Sequence, residues 1–449
     1  MNKNETKMKR GLKNRHLQMI ALGGSIGTGL FYGSAPALQA AGPSLSLAYV
    51  LGGIIIFFVM RMLGEMVVDE PIAGSFSYFA NKYCGEFWGF ISGWNYWFCY
   101  ILVSMSELAA VGIYVNFWLP DFPQWISALI CIIIITIVNL VNVRSYGEVE
   151  FGMTIIKIAA IIAMMVFGAI IIFTQLGPFP QNFSNLWAHG GYMPHGLWGL
   201  AISLVIVMFS FGGIELVGIT AGEAENPKTT IPKAINDVIW RILLFYIGAW
   251  FILMVIYPWN QVGLSGSPFV EIFAKMGIPA AANILNLVVL TAAISVYNSA
   301  MYSTSRMLYS LAKQNNAPKV FGNLTRSGVP ALPTLLSSFI TLIAVVLTYL
   351  FPQKVFIYLM AVVIIAIVIS WFTIVLVHYN FRRKKNKLGE KTSFKTFFYP
   401  YDNYICIAFF IFVIGMMTQI PSMHLAVVIL PVWIILLSIG YIIKKRSGH

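Results

Sequence analysis

Apolar stretches separated by short polar or basic segments run through the chain at about 17–40, 44–66, 87–117, 123–142, 150–174 and 198–222, and again at about 234–257, 280–313, 333–350, 353–378, 402–420 and 424–443. A helix rises about 1.5 Å per residue, so stretches of this length span most or all of a hydrocarbon layer of roughly 30 Å. The pattern predicts an all-α polytopic membrane protein with twelve transmembrane helices. An even count places both termini on the same side.

Two of these stretches are interrupted by glycine. The first carries Gly23-Gly24-Ser25-Ile26-Gly27-Thr28-Gly29, and the sixth carries Phe209-Ser210-Phe211-Gly212-Gly213-Ile214-Glu215. A helix in lipid satisfies its own backbone hydrogen bonds, and unwinding it is unfavourable unless the freed groups meet other partners. Spans 1 and 6 open two groups of five spans, at 17–174 and 198–378. Five is odd, so the second group enters from the opposite face. Matched interruptions in an inverted 5+5 repeat point to a substrate site near the midplane, as in LeuT-like secondary carriers. Spans 11 and 12 (402–443) stand outside the repeat. Between spans 7 and 8, the amphipathic stretch Ser267-Pro268-Phe269-Val270-Glu271-Ile272-Phe273 is read as an interfacial lid.

Composition agrees with this reading. Hydrophobic residues make up 59% of the 449 and charged residues 10%, and mean hydropathy is +0.80. Ordinary soluble domains carry about 25% charged residues. The net charge of +13 does not signal nucleic acid, because the basic residues fall in the tails and in alternate loops. With the N-terminus in the cytoplasm, all of the 29 Lys and Arg residues except Lys157, Lys275 and Lys354 lie in or towards the cytoplasmic side. That bias sets the orientation and supports the span count. It makes 1–16 and 444–449 cytoplasmic tails. The polar, basic start of the chain shows no cleavable apolar leader. The four cysteines, Cys84, Cys99, Cys131 and Cys406, have neither metal-ligand nor disulfide-framework spacing and read as small apolar packing. No metal site is expected, and no cofactor beyond a proton gradient.

The chemistry sits at the breaks. Glycines at 23, 24, 27 and 29 permit unwinding, which frees amide groups at the start of the second half-helix, where an anion is favoured. The segment Gly24, Ser25, Ile26, Gly27, Thr28 and Gly29 is therefore read as a carboxylate cradle, with Thr28 adding a hydroxyl donor. In the second break the carbonyls of Phe209, Ser210 and Phe211 are candidate acceptors for an ammonium group, beside Gly212 and Gly213. Together the two breaks describe a site for an α-amino acid. Close helix packing through small residues is the competing reading.

Three ionisable residues fall inside apolar spans, where charge is unfavourable and usually functional. Glu107 shares a face of span 3 with Tyr96, Tyr100 and Ser104, and is read as a proton carrier or a structural hydrogen-bonding group. Lys157 in span 5 is read as a coupling residue, or as a side chain snorkelling to the interface. Glu215 either ties the broken helix or takes up a proton. Arg61 and Glu65, four apart, are expected to pair with each other. His378 is expected at the interface. His189 and His195 lack the further ligands a metal would need.

The motifs Lys9-Arg10-Gly11-Leu12-Lys13-Asn14-Arg15-His16, Met60-Arg61-Met62-Leu63-Gly64-Glu65-Met66, Pro71-Ile72-Ala73-Gly74-Ser75-Phe76 and Ser92-Gly93-Trp94-Asn95-Tyr96 follow one another in order. They continue with the second break, then Glu223-Ala224-Glu225-Asn226-Pro227, Tyr297-Asn298-Ser299 and Ser305-Arg306-Met307-Leu308. As a set they resemble bacterial amino acid permeases of the amino acid–polyamine–organocation superfamily, most of all the aromatic amino acid permeases. The resemblance implies a proton-coupled importer in the bacterial inner membrane, taking phenylalanine, tyrosine or tryptophan by alternating access. It implies that the first break binds the substrate carboxylate and the second its amino group, that Phe209 is the gate, and that Lys157 stands where sodium-coupled relatives hold an ion. Tyr100 would contribute a ring face to the substrate. Permeases for lysine, proline, histidine or 4-aminobutyrate share much of the pattern, and Glu107 is available to a cationic side chain. A channel or a nutrient sensor is the reading from another class. No nucleophile–base pair or metal cluster supports an enzyme.

Overall fold

The computed structural model describes residues 14–446 apart from 25, 73–74, 142, 176–182, 222–225, 264–265 and 353. Ser25, the tail before residue 14, the last three residues, and the motif positions Ala73, Gly74, Glu223, Ala224 and Glu225 lie outside the described residues. The described residues form helices and no strands.

The first apolar stretch is α1 (Asn14–Gly23), α2 (Thr28–Phe31) and α3 (Ser34–Ala41). Gly42, at φ +57°, turns the chain into α4 (Leu45–Asp69). Next come α5 (Ser75–Cys84), α6 (Glu86–Asn116), α7 (Gln124–Val141) and α8 (Val143–Thr174). The second group opens with α9 (Gly196–Ser210) and α10 (Leu216–Thr220), separated by a non-helical turn. It continues with α11 (Pro227–Arg241), a π-helical turn at Ile242–Gly248, α12 (Ala249–Ile256), α13 (Pro268–Lys275), α14 (Pro279–Lys313), α15 (Ala331–Leu350) and α16 (Val355–Lys387). The chain closes with α17 (Tyr401–Met417) and α18 (His424–Arg446). Eight helical runs are long and apolar enough to cross a membrane, and three shorter apolar helices accompany them.

The outer faces of these helices are apolar. On α7 the exposed side chains are Ile130, Ile133, Ile134, Ile137 and Val141, and on α15 they are Leu335, Phe339, Ile343, Val346 and Leu350. These positions recur every three or four residues, so each helix turns one apolar stripe outward. The inward faces bury polar groups instead, among them Ser127 and Asn139 on α7 and Thr334, Ser337 and Thr341 on α15. Apolar outside and polar inside is the arrangement of a multi-pass membrane protein, because lipid replaces water as the outer solvent.

The most extensive packing runs between the two groups of helices, α6 on α14 and α6 on α16, with further packing inside each group. α3 lies on α9, α4 on α11, α6 on α14, and α7 on α15. Two further contacts are reciprocal: α6 packs on α16 as α14 packs on α8, and α4 packs on α16 as α12 packs on α8. The short α5 lies on α6, and α13 lies on α14. The amphipathic stretch after Ser267 is thus helical. Its Glu271 accepts the Gly263 N–H at 3.0 and 3.1 Å and pairs with Lys275 at 2.6 Å. The hydrogen bond to Glu271 holds the Lys275 ammonium above its usual range.

Two expectations for the residues near the ends of α4 and α16 need correction. Arg61 does not pair with Glu65. It donates to Asn236 Oδ1 and the Lys395 carbonyl, both at 2.9 Å, and lies 3.7 Å from the Phe394 ring centre. Glu65 turns inward and meets Arg382 Nη1 at 2.8 Å, His378 Nε2 at 3.0 Å, the Thr396 N–H at 3.0 Å and the Thr392 hydroxyl. His378 is consequently buried, not interfacial. The end of α16 supplies His378 and Arg382, and the segment between α16 and α17 supplies Thr392 and Thr396, so the intrahelical i,i+4 option lost to tertiary contacts that desolvate the carboxylate more completely.

Candidate substrate and coupling site

The two interruptions meet at the centre of the bundle. Gly29, in the first turn of α2, lies so close to the end of α9 that a Cβ there would stand 2.7 Å from Ser210 Cα and 3.0 Å from the Phe209 carbonyl oxygen. Only glycine permits this approach. The contact is closed by Ser210 Oγ, which donates to the Gly29 carbonyl at 2.7 Å. Gly213, at φ +96°, turns the chain between α9 and α10 through a region that other residues avoid.

A small central cavity is lined by Gly24, Gly27 and Gly29 from the first break and by Phe209, Gly212 and Gly213 from the second. Tyr100, Val103 and Glu107 of α6 form another wall, and Val296 and Ser299 of α14 the next. Ile26, Thr28, Ser210 and Phe211 are buried immediately beside it. Thr28 and Gly29 are the first residues of a helix, so their N–H groups have no intrahelical acceptor.

Both breaks are tied to α6. The Thr28 hydroxyl donates to Glu107 Oε1 at 2.7 Å, so that hydroxyl is engaged within the protein. Glu107 Oε2 is buried without a partner among the described residues. The Tyr100 hydroxyl donates to Glu215 Oε1 at 2.7 Å, and Trp371 Nε1 donates to Oε2 at 3.3 Å. Glu215 therefore clamps the turn after α9 against α6 and α16. Of the three carbonyls read as ammonium acceptors, that of Ser210 already accepts from the Tyr246 hydroxyl at 2.8 Å, and that of Phe209 accepts from the Gly212 N–H at 3.2 Å.

Lys157 is fully buried, so its side chain does not snorkel. Its Nζ donates to the Gly23 carbonyl, the last of α1, at 2.6 Å, and to Ser295 Oγ at 2.8 Å. Sequence reasoning missed a third carboxylate beside it: Glu150, also fully buried, with Oε1 4.0 Å from Lys157 Nζ. The signal was present, because seven residues are two helical turns and put both charges on one face of α8.

Above the central cavity, rings separate it from a second, wider one. The Phe209 ring meets Phe356 edge-on at 6.0 Å, and Phe356 stacks on Tyr32 at 4.4 Å between centroids. Tyr32 in turn lines the second cavity with Tyr114, Phe117, Glu271, Asn286 and Pro352. No group of three or more metal-ligating side chains occurs among the described residues.

Comparisons with known proteins agree with this architecture. A family model described as amino acid permease matches residues 16–448. The chain is 52% identical over 441 residues to the aromatic amino acid transport protein AroP of Escherichia coli O6:H1, covering 98% of this chain and 97% of that one. It is also 52% identical to AroP of Escherichia coli K12, covering 98% and 96%. An uncharacterized amino acid permease of Bacillus subtilis, YtnA, is 45% identical over 445 residues, covering 98% and 96%. A match of that extent and depth, over a helical bundle with two facing interruptions, makes this chain a member of the amino acid permease family, whose proteins are transporters and not enzymes.

Proposed function

We propose that the chain imports aromatic amino acids together with protons, across the bacterial inner membrane, by alternating access around the paired breaks. The observation that carries this reading is the meeting of the two breaks at Gly29 and Ser210, with a cavity between them bounded by backbone from both. A zwitterion needs an anion cradle and a cation acceptor at fixed separation. The Gly29 amide at the start of α2, which lines the cavity, serves the carboxylate. Acceptors in the second break, together with Glu107 Oε2, serve the ammonium group. Tyr100 and Phe209 offer ring faces to an aromatic side chain, and Gly212 and Gly213 leave room for it. The curated relatives named as aromatic amino acid transport proteins support this substrate class.

The twelve spans in this reading are α1–α3, α4, α6, α7 and α8; α9–α10, α11–α12, α14, α15 and α16; then α17 and α18. The reciprocal packing of α6 on α16 and α14 on α8 is what a two-fold axis relating the two five-span groups would generate, and it supports the LeuT-like inverted repeat with units 17–174 and 198–378. The basic loops put both termini in the cytoplasm, so the wider cavity beyond Tyr32 faces outward and the rings of Phe209, Phe356 and Tyr32 form the outer gate. Lys157 and Glu107 are the coupling groups. One proton moving inward contributes about 2.3 kcal/mol per 100 mV, which sustains roughly fiftyfold accumulation. No nucleotide or other cofactor is required.

The test is uptake of labelled phenylalanine into proteoliposomes under an inward proton gradient. Tyrosine and tryptophan should compete, lysine and proline should not, and a protonophore should abolish accumulation. Competition by lysine alone would sink the aromatic assignment. Unsaturable flux would sink the carrier.

A further inference from the structure

Glu150 is a buried carboxylate that the substrate cavity does not use. Its Oε1 stands 4.0 Å from Lys157 Nζ, beyond hydrogen-bond reach, and the gap is spanned by one hydroxyl. Lys157 Nζ donates to Ser295 Oγ at 2.8 Å, and Ser295 Oγ donates to Glu150 Oε1 at 2.5 Å. Asn298 Nδ2, one turn further along α14, reaches Glu150 Oε2 at 3.4 Å. Asn139 Nδ2 holds the Asn298 Oδ1 at 2.9 Å and so fixes which end of that amide faces the carboxylate. Lys157, Ser295, Glu150, Asn298 and Asn139 are all buried. Ser295 thus accepts from the ammonium and donates to the carboxylate in one continuous line.

We propose that Lys157, Ser295 and Glu150 form a proton relay, in which Glu150 receives the coupled proton from Lys157. In the step, an Nζ–H bond breaks and its electron pair remains on nitrogen. The released proton forms a new bond to Ser295 Oγ, while the proton originally on Oγ passes to Glu150 Oε1. Ser295 ends unchanged, Lys157 ends as a neutral amine and Glu150 as a neutral acid. An ion pair becomes a neutral pair, so no uncompensated charge is left in a low-dielectric interior. The neutral amine binds the Gly23 carbonyl less strongly than the ammonium did. Release of the proton is thereby linked to release of α1 at the first break. Nearer the start of α8, the partly exposed Glu148 pairs with Arg15 at 2.7 Å and His16 at 3.3 Å, so titratable groups continue from the relay towards that surface.

This inference rests on the coupling role proposed above for Lys157, and the experiment separates the two. The full chain is reconstituted, and each variant is measured in two ways: counterflow exchange of labelled phenylalanine, and accumulation driven by a proton gradient. Ser295→Ala and Glu150→Gln should still exchange, while accumulation falls from roughly fiftyfold per 100 mV towards one. Ser295→Thr, which restores a hydroxyl, should recover accumulation; a merely structural role for a small residue would not require this. Lys157→Ala should also lose accumulation. If Lys157→Ala is uncoupled while Ser295→Ala and Glu150→Gln accumulate normally, the relay is wrong and the coupling role of Lys157 stands. If Lys157→Ala accumulates normally, that role fails and the relay with it. If Glu150→Gln does not fold, the Ser295→Ala and Ser295→Thr pair decides, and loss of both activities in both variants overturns the relay.

Discussion

Gly29→Ala isolates the contact on which the site depends. Two effects of opposite sign compete there. Alanine is the better helix former by about 1 kcal/mol, and Gly29 is helical, so propensity alone predicts a gain. The new Cβ, however, would stand 2.7 Å from Ser210 Cα, 3.0 Å from the Phe209 carbonyl oxygen and 3.1 Å from the Ser210 nitrogen. These are all backbone atoms, so no side chain can swing aside. Carbon atoms prefer roughly 3.5–4.0 Å, and the two broken helices would have to separate by about an ångström. Overpacking of this kind costs about 1–3 kcal/mol. The same movement lengthens the Ser210 Oγ bond to the Gly29 carbonyl, now 2.7 Å, with a further loss of about 0.5–1.5 kcal/mol. Steric cost outweighs propensity. If the overpacking falls on the substrate-bound arrangement, affinity drops by about five- to 150-fold at roughly 1.4 kcal/mol per decade. The assay is equilibrium binding of labelled phenylalanine to purified protein, with thermal unfolding measured alongside. Gly415→Ala in α17 is the control, because a Cβ there meets nothing within 4 Å. Wild-type affinity in folded Gly29→Ala would refute the claim that the breaks touch where substrate binds.

Phe356→Leu keeps apolar bulk but removes the ring between Phe209 and Tyr32; the loss of about 0.5–1.5 kcal/mol of aromatic contact should raise the dissociation rate of bound phenylalanine about two- to tenfold, read by dilution of labelled complex. Glu65→Ala should destabilise the protein by about 3–5 kcal/mol, since it strips the carboxylate from the buried side of the Arg382 pair. Arg61→Ala should cost only about 1 kcal/mol, its stacking on Phe394; equal shifts of the melting midpoint for these two variants would restore the discarded Arg61–Glu65 pair. Tyr100→Phe removes the donor to Glu215, and leaving that buried carboxyl oxygen without its donor costs about 1–3 kcal/mol. A lower melting midpoint is expected, and an unchanged one would mean that Glu215 does not hold α10 to α6.

Features that a local pattern specifies were legible in the sequence. The interruptions at 23–29 and 209–215 show as glycine clusters within apolar runs, and the structure ends α1 at Gly23 and α9 at Ser210. The amphipathic stretch after Ser267 shows as alternating chemistry and becomes α13. Features that depend on distant partners were not legible. Glu65 looked paired within its helix because its partners lie more than 300 residues away, on the end of α16 and in the basic segment that follows it. The π-helical turn at Ile242–Gly248 follows from packing, since Ile-Leu-Leu-Phe-Tyr-Ile-Gly reads as ordinary helix. Its consequence is functional: it belongs to the segment that carries Tyr246 to the Ser210 carbonyl.

The side chains around the breaks also restrict how a substrate can bind. Unwinding frees backbone groups, and several at the breaks already have side-chain partners: the Gly23 carbonyl has Lys157, the Gly29 carbonyl has Ser210, and the Ser210 carbonyl has Tyr246. Thr28 and Glu215 are likewise committed to α6. What lines the cavity beside the first break is of both kinds: Gly29 carries an N–H donor, and Glu107, which holds the Thr28 hydroxyl, keeps Oε2 without a partner among the described residues. A zwitterion can match both a donor and an acceptor, whereas a bare carboxylic acid would leave Glu107 unmatched and an amine without a carboxylate would leave the amide unmatched. Each mismatch strands a buried polar group, a penalty of about 1–3 kcal/mol, or roughly five- to 150-fold in affinity. Phenylpropionate and phenethylamine, which keep the ring and delete one charge each, should therefore both compete poorly with phenylalanine. Effective competition by either would show that ring contacts, and not the paired breaks, dominate recognition.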